Sequence, residues 1–248
     1  RVQQTHSTKK RQQTDGKAYR DYLGKIRAEM EQAAHMQQVV ADYLYPPVAR
    51  LPAIVAQYNR EQPQLWERRF EDRDFLQVRA GTGTMSLSRS VRVDLGPNPF
   101  IQYIPELQAE AEKLVSEYTQ LTHSPIPIEL ATVGTLAVTG ESRVTRALVR
   151  AMLCQIATFH SPEDVRIAAY FPAEAAHEWG WLKWLPHTRR LFQARPEKQH
   201  APEPLCLLAD AVPDFQDIFG KQIAPELARR HQLSAVSYTH LTLPTILR

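Results

Sequence analysis

Residues 135–171 have the sequence TLAVTGESRVTRALVRAMLCQIATFHSPEDVRIAAYF and contain three successive secondary-structure patterns. A short apolar run at 135–140 ends in a glycine and predicts a strand. Apolar residues at spacings of three and four over 143–159 predict a helix, and residues 165–171 predict a second strand. A further apolar run at 205–209 ends at an aspartate. Strands alternating with a helix in this order indicate a parallel, right-handed α/β sheet.

The chain before this region has a different periodicity and predicts a helical arm followed by a small β-element. Polar helical patterns occur first, and they are interrupted by a pair of prolines. The period then changes to two around a glycine-rich turn, which is typical of strands. In chain order, we expect helices at 15–43 and 48–62, strands within 63–95 on either side of a turn at 81–84, a helix at 104–121 and a strand at 126–130.

The composition is that of a globular protein. In the 248 residues, 43% are hydrophobic and 23% are charged, which excludes a wholly disordered or collagen-like chain. The net charge of +3 is too small to indicate nucleic-acid binding by itself. No apolar run is long enough to span a membrane. Cys154 and Cys206 have no partner at metal or redox spacing, which favours reduced, buried thiols.

The two ends of the chain are unusual. Residues 1–20 carry many lysines and arginines and a single acid. They fit a solvated basic arm or the cytoplasmic flank of a preceding membrane helix, and both alternatives stay open. The chain begins with arginine instead of methionine, so we expect a piece of something longer. Residues 236–245, VSYTHLTLPT, resemble translated adapter DNA from a sequencing library, which predicts that residues 236–248 are an artefact.

The turn at 140–145 is the position where an α/β fold offers backbone N–H groups and a helix dipole to an anion. A working phosphate loop needs the pattern GxxxxGK[ST]. Here no lysine follows the glycine, and Glu141 places a negative charge where a triphosphate would lie. We therefore predict a degenerate nucleotide pocket in which Arg143 substitutes for the lysine. Its candidate residues are Gly140, Glu141, Ser142, Arg143 and Thr145, with Asp210 at the edge of the sheet.

Other interpretations of these residues are open. Ser142, Asp210 and His231 follow the chain order of a hydrolase triad, although Val144 stands where that turn needs glycine. Ser142 is the better candidate for a helix N-cap, and Asp210 for a turn or cap residue. No histidine has the spacing of a metal site, so we predict no bound metal.

A tryptophan-rich segment is the remaining signal. Trp179, Trp181 and Trp184 lie within six residues, and the last two share one face of a helix. Packing against the sheet and a surface for a partner both explain them. We keep the three tryptophans as candidates for a partner surface.

Three motifs resemble, in the same order, the EccC/EssC family of type VII secretion ATPases, which belongs to the FtsK/SpoIIIE class. The first is LWERR at 65–69 with DFLQVRAGTG at 74–83, the second is HSPEDV at 160–165, and the third is WGWLKWLPH at 179–187. The resemblance spans about residues 19–210. It implies a membrane-anchored motor with a basic, helical stalk, a first ATPase-like domain without the usual Walker motifs, and active ATPase domains further on.

The resemblance also implies a division of the chain and a set of partners. We expect a basic arm and juxtamembrane stalk at 1–62, a small β-element at 63–103 and a truncated, degenerate, P-loop-like ATPase domain at 104–235. The fragment would be non-catalytic, whereas its parent would use ATP and Mg²⁺. Other modules of the motor and membrane components of the secretion system would be its partners.

The parent is expected to form hexamers at the cytoplasmic face of the bacterial membrane and to bind no nucleic acid. A fragment of an FtsK-type DNA translocase is the alternative, which the tryptophan-rich motif disfavours.

Overall fold

The computed structural model describes residues 2–58, 64–94, 104–189 and 206–233 of the chain, and the side chains of 14–229 within those ranges. The fold is mixed α/β with small sheets, which confirms the predicted α/β class, while the parallel-sheet, P-loop-like domain stays a prediction. The chain divides into two compact units, Arg1–Pro46 with Gly81–Ile126, and Pro47–Ala80 with Pro127–Arg248. The predicted artefact at 236–248 lies outside the described residues.

Helices make up most of the regular structure in the described residues. The α-helices are α1 (Val2–Leu44), α2 (Leu51–Ala56), α3 (Pro105–Glu117), α4 (Leu130–Val133), α5 (Ser142–Phe159), α6 (Ala176–Trp179), α7 (Val212–Ile218) and α8 (Ala224–Leu233). The strands are β1 (Gln77–Ser86), β2 (Gln120–Glu129), β3 (Ala169–Tyr170) and β4 (Leu208–Ala209). Shorter helical turns are Val48–Arg50, Ala173–Ala175, Gly180–Trp184, Pro186–Thr188 and Phe219–Ile223.

The first unit is built on α1, which packs along α3. Met30 is buried on the inner face of α1, and ion pairs join the two helices outside that contact. Arg20 pairs with Glu110 at 3.0 Å and Arg27 pairs with Glu117 at 2.7 Å. The predicted helix at 15–43 is confirmed. None of the helices in the described ranges combines the length and the apolar composition needed to cross a membrane.

The predicted turn at 81–84 is wrong, because β1 continues through these residues as one strand paired with β2. The glycines that suggested a turn have another use. A Cβ atom on Gly83 would lie 2.9 Å from Cγ1 of Ile126, a separation that real Cβ atoms essentially never show. Glycine at this position therefore permits a close approach within the strand pair.

The core of the second unit lies against α5. This helix buries Met152, Leu153 and Ile156, as its predicted periodicity of three and four requires. Apolar residues from other elements complete the cluster: Val78, Leu130, Ile167, Ala169, Trp179 and Leu182. Cys154 and Cys206 are free thiols, as expected, but both are only half-buried. Burial raises the pKa of the Cys154 thiol.

The parallel pairing is present on a smaller scale than expected. Strands β3 and β4 are parallel, with Ala169 opposite Leu208 and Tyr170 opposite Ala209. The strand predicted at 135–140 is wrong, because the described residues offer it no neighbouring strand. The N–H of Thr135 instead donates locally to the carbonyl of Val133 at 2.8 Å. An apolar run forms a strand only where a partner completes its backbone hydrogen bonds.

Candidate functional site

The turn before α5 contains the residues of the predicted degenerate pocket. Gly140 has φ of 139°, a backbone conformation that favours glycine. The helix begins at Ser142, and Glu141 is its N-cap residue, although the Glu141 side chain makes no capping hydrogen bond. The prediction that Ser142 is the N-cap is therefore wrong. The N-terminal end of α5 is left without a side-chain cap from its own N-cap residue.

The side chains of this turn are occupied by local contacts or extend into solvent. The Thr145 hydroxyl lies 3.2 Å from the carbonyl oxygen of Glu141 and 3.1 Å from that of Ser142. Arg143 has 90% of its side chain exposed, and its Nε lies 3.9 Å from the exposed carboxylate of Glu141. A pair this exposed holds neither side chain firmly.

Arg146 is the cation that lies against this turn. Its Nε donates to the carbonyl oxygen of Ser142 at 3.0 Å, so the guanidinium folds back along the first turn of α5. The same guanidinium forms a close ion pair with Glu178, whose side chain is only 17% exposed. The Arg150 guanidinium lies 3.8 Å from the second oxygen of this carboxylate, and His177 Nε2 lies 3.6 Å from the first. Basic side chains thus converge on one carboxylate.

Arg146, Arg150 and Glu178 were not among the residues predicted from the sequence. The two arginines are four residues apart on one helix and therefore share a face, which was a detectable signal. Glu178 follows 32 residues after Arg146, and no local pattern connects them.

Asp210 lies directly after β4, at the carboxyl end of the short parallel sheet, and is exposed. Among the residues that the structure describes, no hydrogen bond or ion pair joins Asp210 to residues 140–145. The side chain of His231 lies outside the described part. Both the degenerate pocket and the hydrolase triad therefore stay predictions. No group of three potential metal ligands occurs in the described ranges.

The three tryptophans of the tryptophan-rich segment have different environments. Trp179 is buried in the core, with the guanidinium of Arg150 at 5.7 Å from its ring. Trp181 is half-buried against the same core. Trp184 is 78% exposed, and Nζ of Lys183 lies 5.3 Å from its ring. Packing therefore accounts for Trp179. The partner surface stays a prediction, and Trp184 is the most exposed of the three tryptophans that could contribute to it.

The three motifs that carry the family resemblance meet at the C-terminal end of α5. The last four carbonyl groups of a helix have no partner within the helix and need one from elsewhere. In α5, the indole Nε1 of Trp66 donates to Ala157 O at 3.1 Å, and its backbone N–H donates to Thr158 O at 2.9 Å. The N–H of Arg68 donates to Phe159 O at 3.0 Å. The first motif therefore caps this helix end.

Residues of the other two motifs complete the cap. The backbone N–H of His160 donates to Ile156 O at 3.0 Å, and its Nδ1 lies 3.0 Å from the same oxygen. The carbonyl of His160 in turn lies 2.8 Å from Nε2 of His187. Both imidazoles are fully buried. All four terminal carbonyls of α5, from Ile156 to Phe159, thus have hydrogen-bond partners.

Burial controls the protonation of the two histidines. The N–H of Leu76 donates to Nε2 of His160 at 2.9 Å, which requires a lone pair on that nitrogen. Desolvation lowers the pKa of His160 to about 4, and the neighbouring Arg68 guanidinium opposes protonation as well. Burial also lowers the pKa of His187. Both rings are therefore neutral near pH 7.

Arg68 is the buried charge at this helix end, with only 2% of its side chain exposed. Its Nε lies 3.0 Å from the Asp74 carboxylate, and Nη1 donates to the carbonyl of Gln77 at 2.7 Å. The guanidinium also covers the ring of Phe159, with its carbon 4.3 Å from the ring centre. Arg68 thereby ties the first motif to the last residue of α5.

Comparisons with known proteins agree with the motifs. No family model matches the chain. The chain is 30% identical to the ESX secretion system protein EccC of Thermomonospora curvata over 224 residues, which cover 89% of the chain and 16% of that protein. It is 33% identical to EccC4 of Mycobacterium tuberculosis over 171 residues, covering 69% of the chain and 13% of the relative. It is 28% identical to EssC of Staphylococcus aureus over 171 residues, which cover 69% of the chain and 11% of that relative.

These relatives are all proteins of bacterial secretion systems. The chain belongs to the EccC/EssC family of type VII secretion system proteins, which confirms the resemblance of its three motifs. The chain spans 16% of the length of the Thermomonospora protein and less of the other two. The motifs that carry the resemblance also supply the residues that cap α5.

Proposed function

We propose that the chain is the stalk and a non-catalytic, ATPase-like module of a membrane-anchored type VII secretion motor. In this proposal residues 1–62 are the arm and stalk, 63–103 the β-element, 104–235 a degenerate P-loop-like domain, and 236–248 an artefact. The relatives are secretion-system proteins, which favours this function over a DNA translocase. The parent motor would use ATP and Mg²⁺ in other domains.

The observation that carries the non-catalytic role is the charge at the turn before α5. A nucleotide there would meet the Glu141 carboxylate, whereas the lysine of a phosphate loop is missing. A like charge at about 4 Å costs ~1 kcal/mol in water and ~4 kcal/mol near a protein surface. The Arg143 side chain extends into solvent and makes only a loose contact with Glu141, and the Thr145 hydroxyl contacts carbonyl oxygens of the helix backbone. These features support a module that does not hydrolyse ATP.

The stalk role is supported by α1. Its 43 residues correspond to a rod of about 65 Å at ~1.5 Å per residue. Ion pairs to α3 at Arg20 and Arg27 hold the rod against a second helix of the same unit. A rod held in this way can transmit movement between a membrane and a motor. We place the module at the cytoplasmic face of the membrane, with other modules of the motor and membrane components of the system as partners, in a hexameric parent.

Calorimetric titration of the 248-residue chain with ATP and Mg²⁺, followed by a phosphate-release assay, tests the non-catalytic role. We expect a dissociation constant weaker than ~1 mM, an affinity of about 4 kcal/mol, and no turnover. The variant Glu141→Gln should strengthen any weak binding, whereas the control Glu163→Gln, outside the turn, should not. Tight binding by the unmodified chain with turnover would contradict the proposal.

A further inference from the structure

The cluster around Glu178 contains more positive than negative charge. The two guanidinium groups of Arg146 and Arg150 and the ring of His177 approach one carboxylate. Neither arginine has another ion-pair partner among the described residues. Even with His177 neutral, the cluster therefore keeps a surplus of one positive charge.

The geometry of the cluster is also incomplete. The second oxygen of Glu178 and the Nε of Arg150 are buried, and neither has a hydrogen-bond partner in the described part of the chain. The Arg150 Nη2 lies 3.8 Å from that oxygen, which is too far for a hydrogen bond. The buried Nε–H of Arg150 is therefore a donor that the Glu178 carboxylate does not satisfy, and it can take a further acceptor.

The position of Arg146 determines what kind of ligand the cluster suits. Its bond to the Ser142 carbonyl keeps the guanidinium beside the first turn of α5, where the helix dipole favours negative charge. Guanidinium groups bind the oxygens of phosphate and carboxylate in pairs. A carboxylate offers two oxygens, whereas each unit of a phosphate chain offers more acceptors to two arginines.

We propose that Arg146 and Arg150 form a binding site for a phosphate chain, and that Glu178 occupies this site as a built-in carboxylate. The inference rests on the proposed function, because the site lies on the first turns of the helix that follows the degenerate pocket. It assigns the missing cation to Arg146 instead of the solvent-exposed Arg143. Glu178 keeps the site closed, and removal of its charge opens it to phosphate.

Titration of the full chain with tripolyphosphate, without metal, tests the site. The variant Glu178→Gln keeps the shape of the side chain but removes the competing charge, and we expect it to bind tripolyphosphate at least about tenfold more tightly than the unmodified chain. Glu174→Gln is the matched control, since it removes one exposed carboxylate outside the cluster. Glu174→Gln changes the net charge by the same amount but removes no carboxylate from the cluster, so it should leave the affinity for tripolyphosphate unchanged.

The double variant Glu178→Gln with Arg146→Gln identifies the arginine, and it should lose the gained affinity. ATP as a second ligand should bind Glu178→Gln about as tightly as tripolyphosphate, because the site contacts phosphate oxygens. Equal affinity of the unmodified chain and Glu178→Gln, binding that survives in the double variant, or binding of ATP alone would each overturn the inference.

If Glu178→Gln fails to fold, Glu178→Asp replaces it in the same titration. Aspartate withdraws the carboxylate by one methylene, so a smaller gain that Arg146→Gln abolishes is expected, and no gain would reject the site. Turnover of ATP by the unmodified chain would contradict the proposed function without deciding this inference. Equal affinities in the tripolyphosphate titrations would reject only the inference.

Discussion

The two ends of helix α5 differ in almost every physical respect. At the N-terminal end, Glu141 and Arg143 extend into solvent and form a loose pair at 3.9 Å. At the C-terminal end, every terminal carbonyl is hydrogen-bonded and Arg68 is buried. The predicted nucleotide pocket lies at the first end, whereas residues of the motifs that resemble the family gather at the second. Helix α5 is therefore supported by many more contacts at its C-terminal end than at its N-terminal end.

The cap also holds the backbone in an unfavourable conformation. Trp66 has φ of 59° and Leu76 has φ of 55°, values that side-chain-bearing residues rarely adopt. Each costs ~1–3 kcal/mol, which surrounding contacts must offset. Hydrogen bonds to the end of α5 provide those contacts at both residues. The C-terminal end of the helix is therefore the place where substitutions should have large effects.

Substitution of Arg68 by alanine should produce the largest effect. The change leaves the Asp74 carboxylate and the carbonyl of Gln77 without the partner that they have now. Loss of one partner from a buried ion pair costs ~3–5 kcal/mol. We expect the free energy of unfolding, measured with urea, to fall by about 3 kcal/mol.

The neighbouring Arg69 is a matched control for this prediction. It also pairs with an aspartate, Asp164 at 3.0 Å, but more than half of its side chain is exposed. Arg69→Ala should cost at most ~1 kcal/mol, as surface pairs do. Equal losses for the two alanine variants would show that the buried cap does not dominate the stability of this end.

Acid should weaken the same end of the helix. His160 has a pKa of about 4 in the folded chain and an ordinary value of 6.5 when unfolded. The unfolded chain therefore binds more protons between these pH values, so stability is complete above pH 6.5 and is lost as the pH falls towards 4. Between pH 7 and pH 4.5 we expect a loss of about 2.5 kcal/mol from His160, at ~1.4 kcal/mol per pKa unit.

His187 should add to this loss, because burial lowers its pKa as well. Urea unfolding at a series of pH values measures how steeply the free energy of unfolding depends on pH. The variant His160→Gln removes the titrating group and should flatten the curve relative to the unmodified chain. A curve that is equally steep in both proteins would assign the acid sensitivity to other residues.

The sequence predicted the helices better than the contacts between them. Helix α5 follows from its apolar spacing, because the buried face of a helix repeats every three to four residues. The partners of its C-terminal end could not be predicted in this way, since Trp66 lies 91 residues before Ala157. The wrong turn at 81–84 has a similar cause. Gly83 lies in a strand, where it packs closely against Ile126, a residue that is distant in sequence.

The residues of the predicted pocket show the same limit. Glycine, serine and threonine around 140–145 identified the turn, and Gly140 does adopt a conformation that favours glycine. The arginine that folds back on the turn is Arg146, and its position depends on Glu178, which a different element supplies. Sequence patterns locate such a turn, but the ion pairs around it depend on tertiary contacts.

The smallest effect is expected at the N-terminal end of α5. Arg143→Ala removes a side chain that is 90% exposed and has only a loose contact with Glu141. Because surface substitutions away from caps and buried networks change little, the free energy of unfolding should stay within ~0.5 kcal/mol of the unmodified chain. Arg146→Ala, three residues further on, is the comparison, since it leaves the mostly buried Glu178 with only the longer contacts to Arg150 and His177. If Arg143→Ala lowered the free energy of unfolding as much as Arg146→Ala, the exposed N-terminal end of α5 would be held as firmly as its buried face. The contrast between the two ends of α5 would then no longer hold.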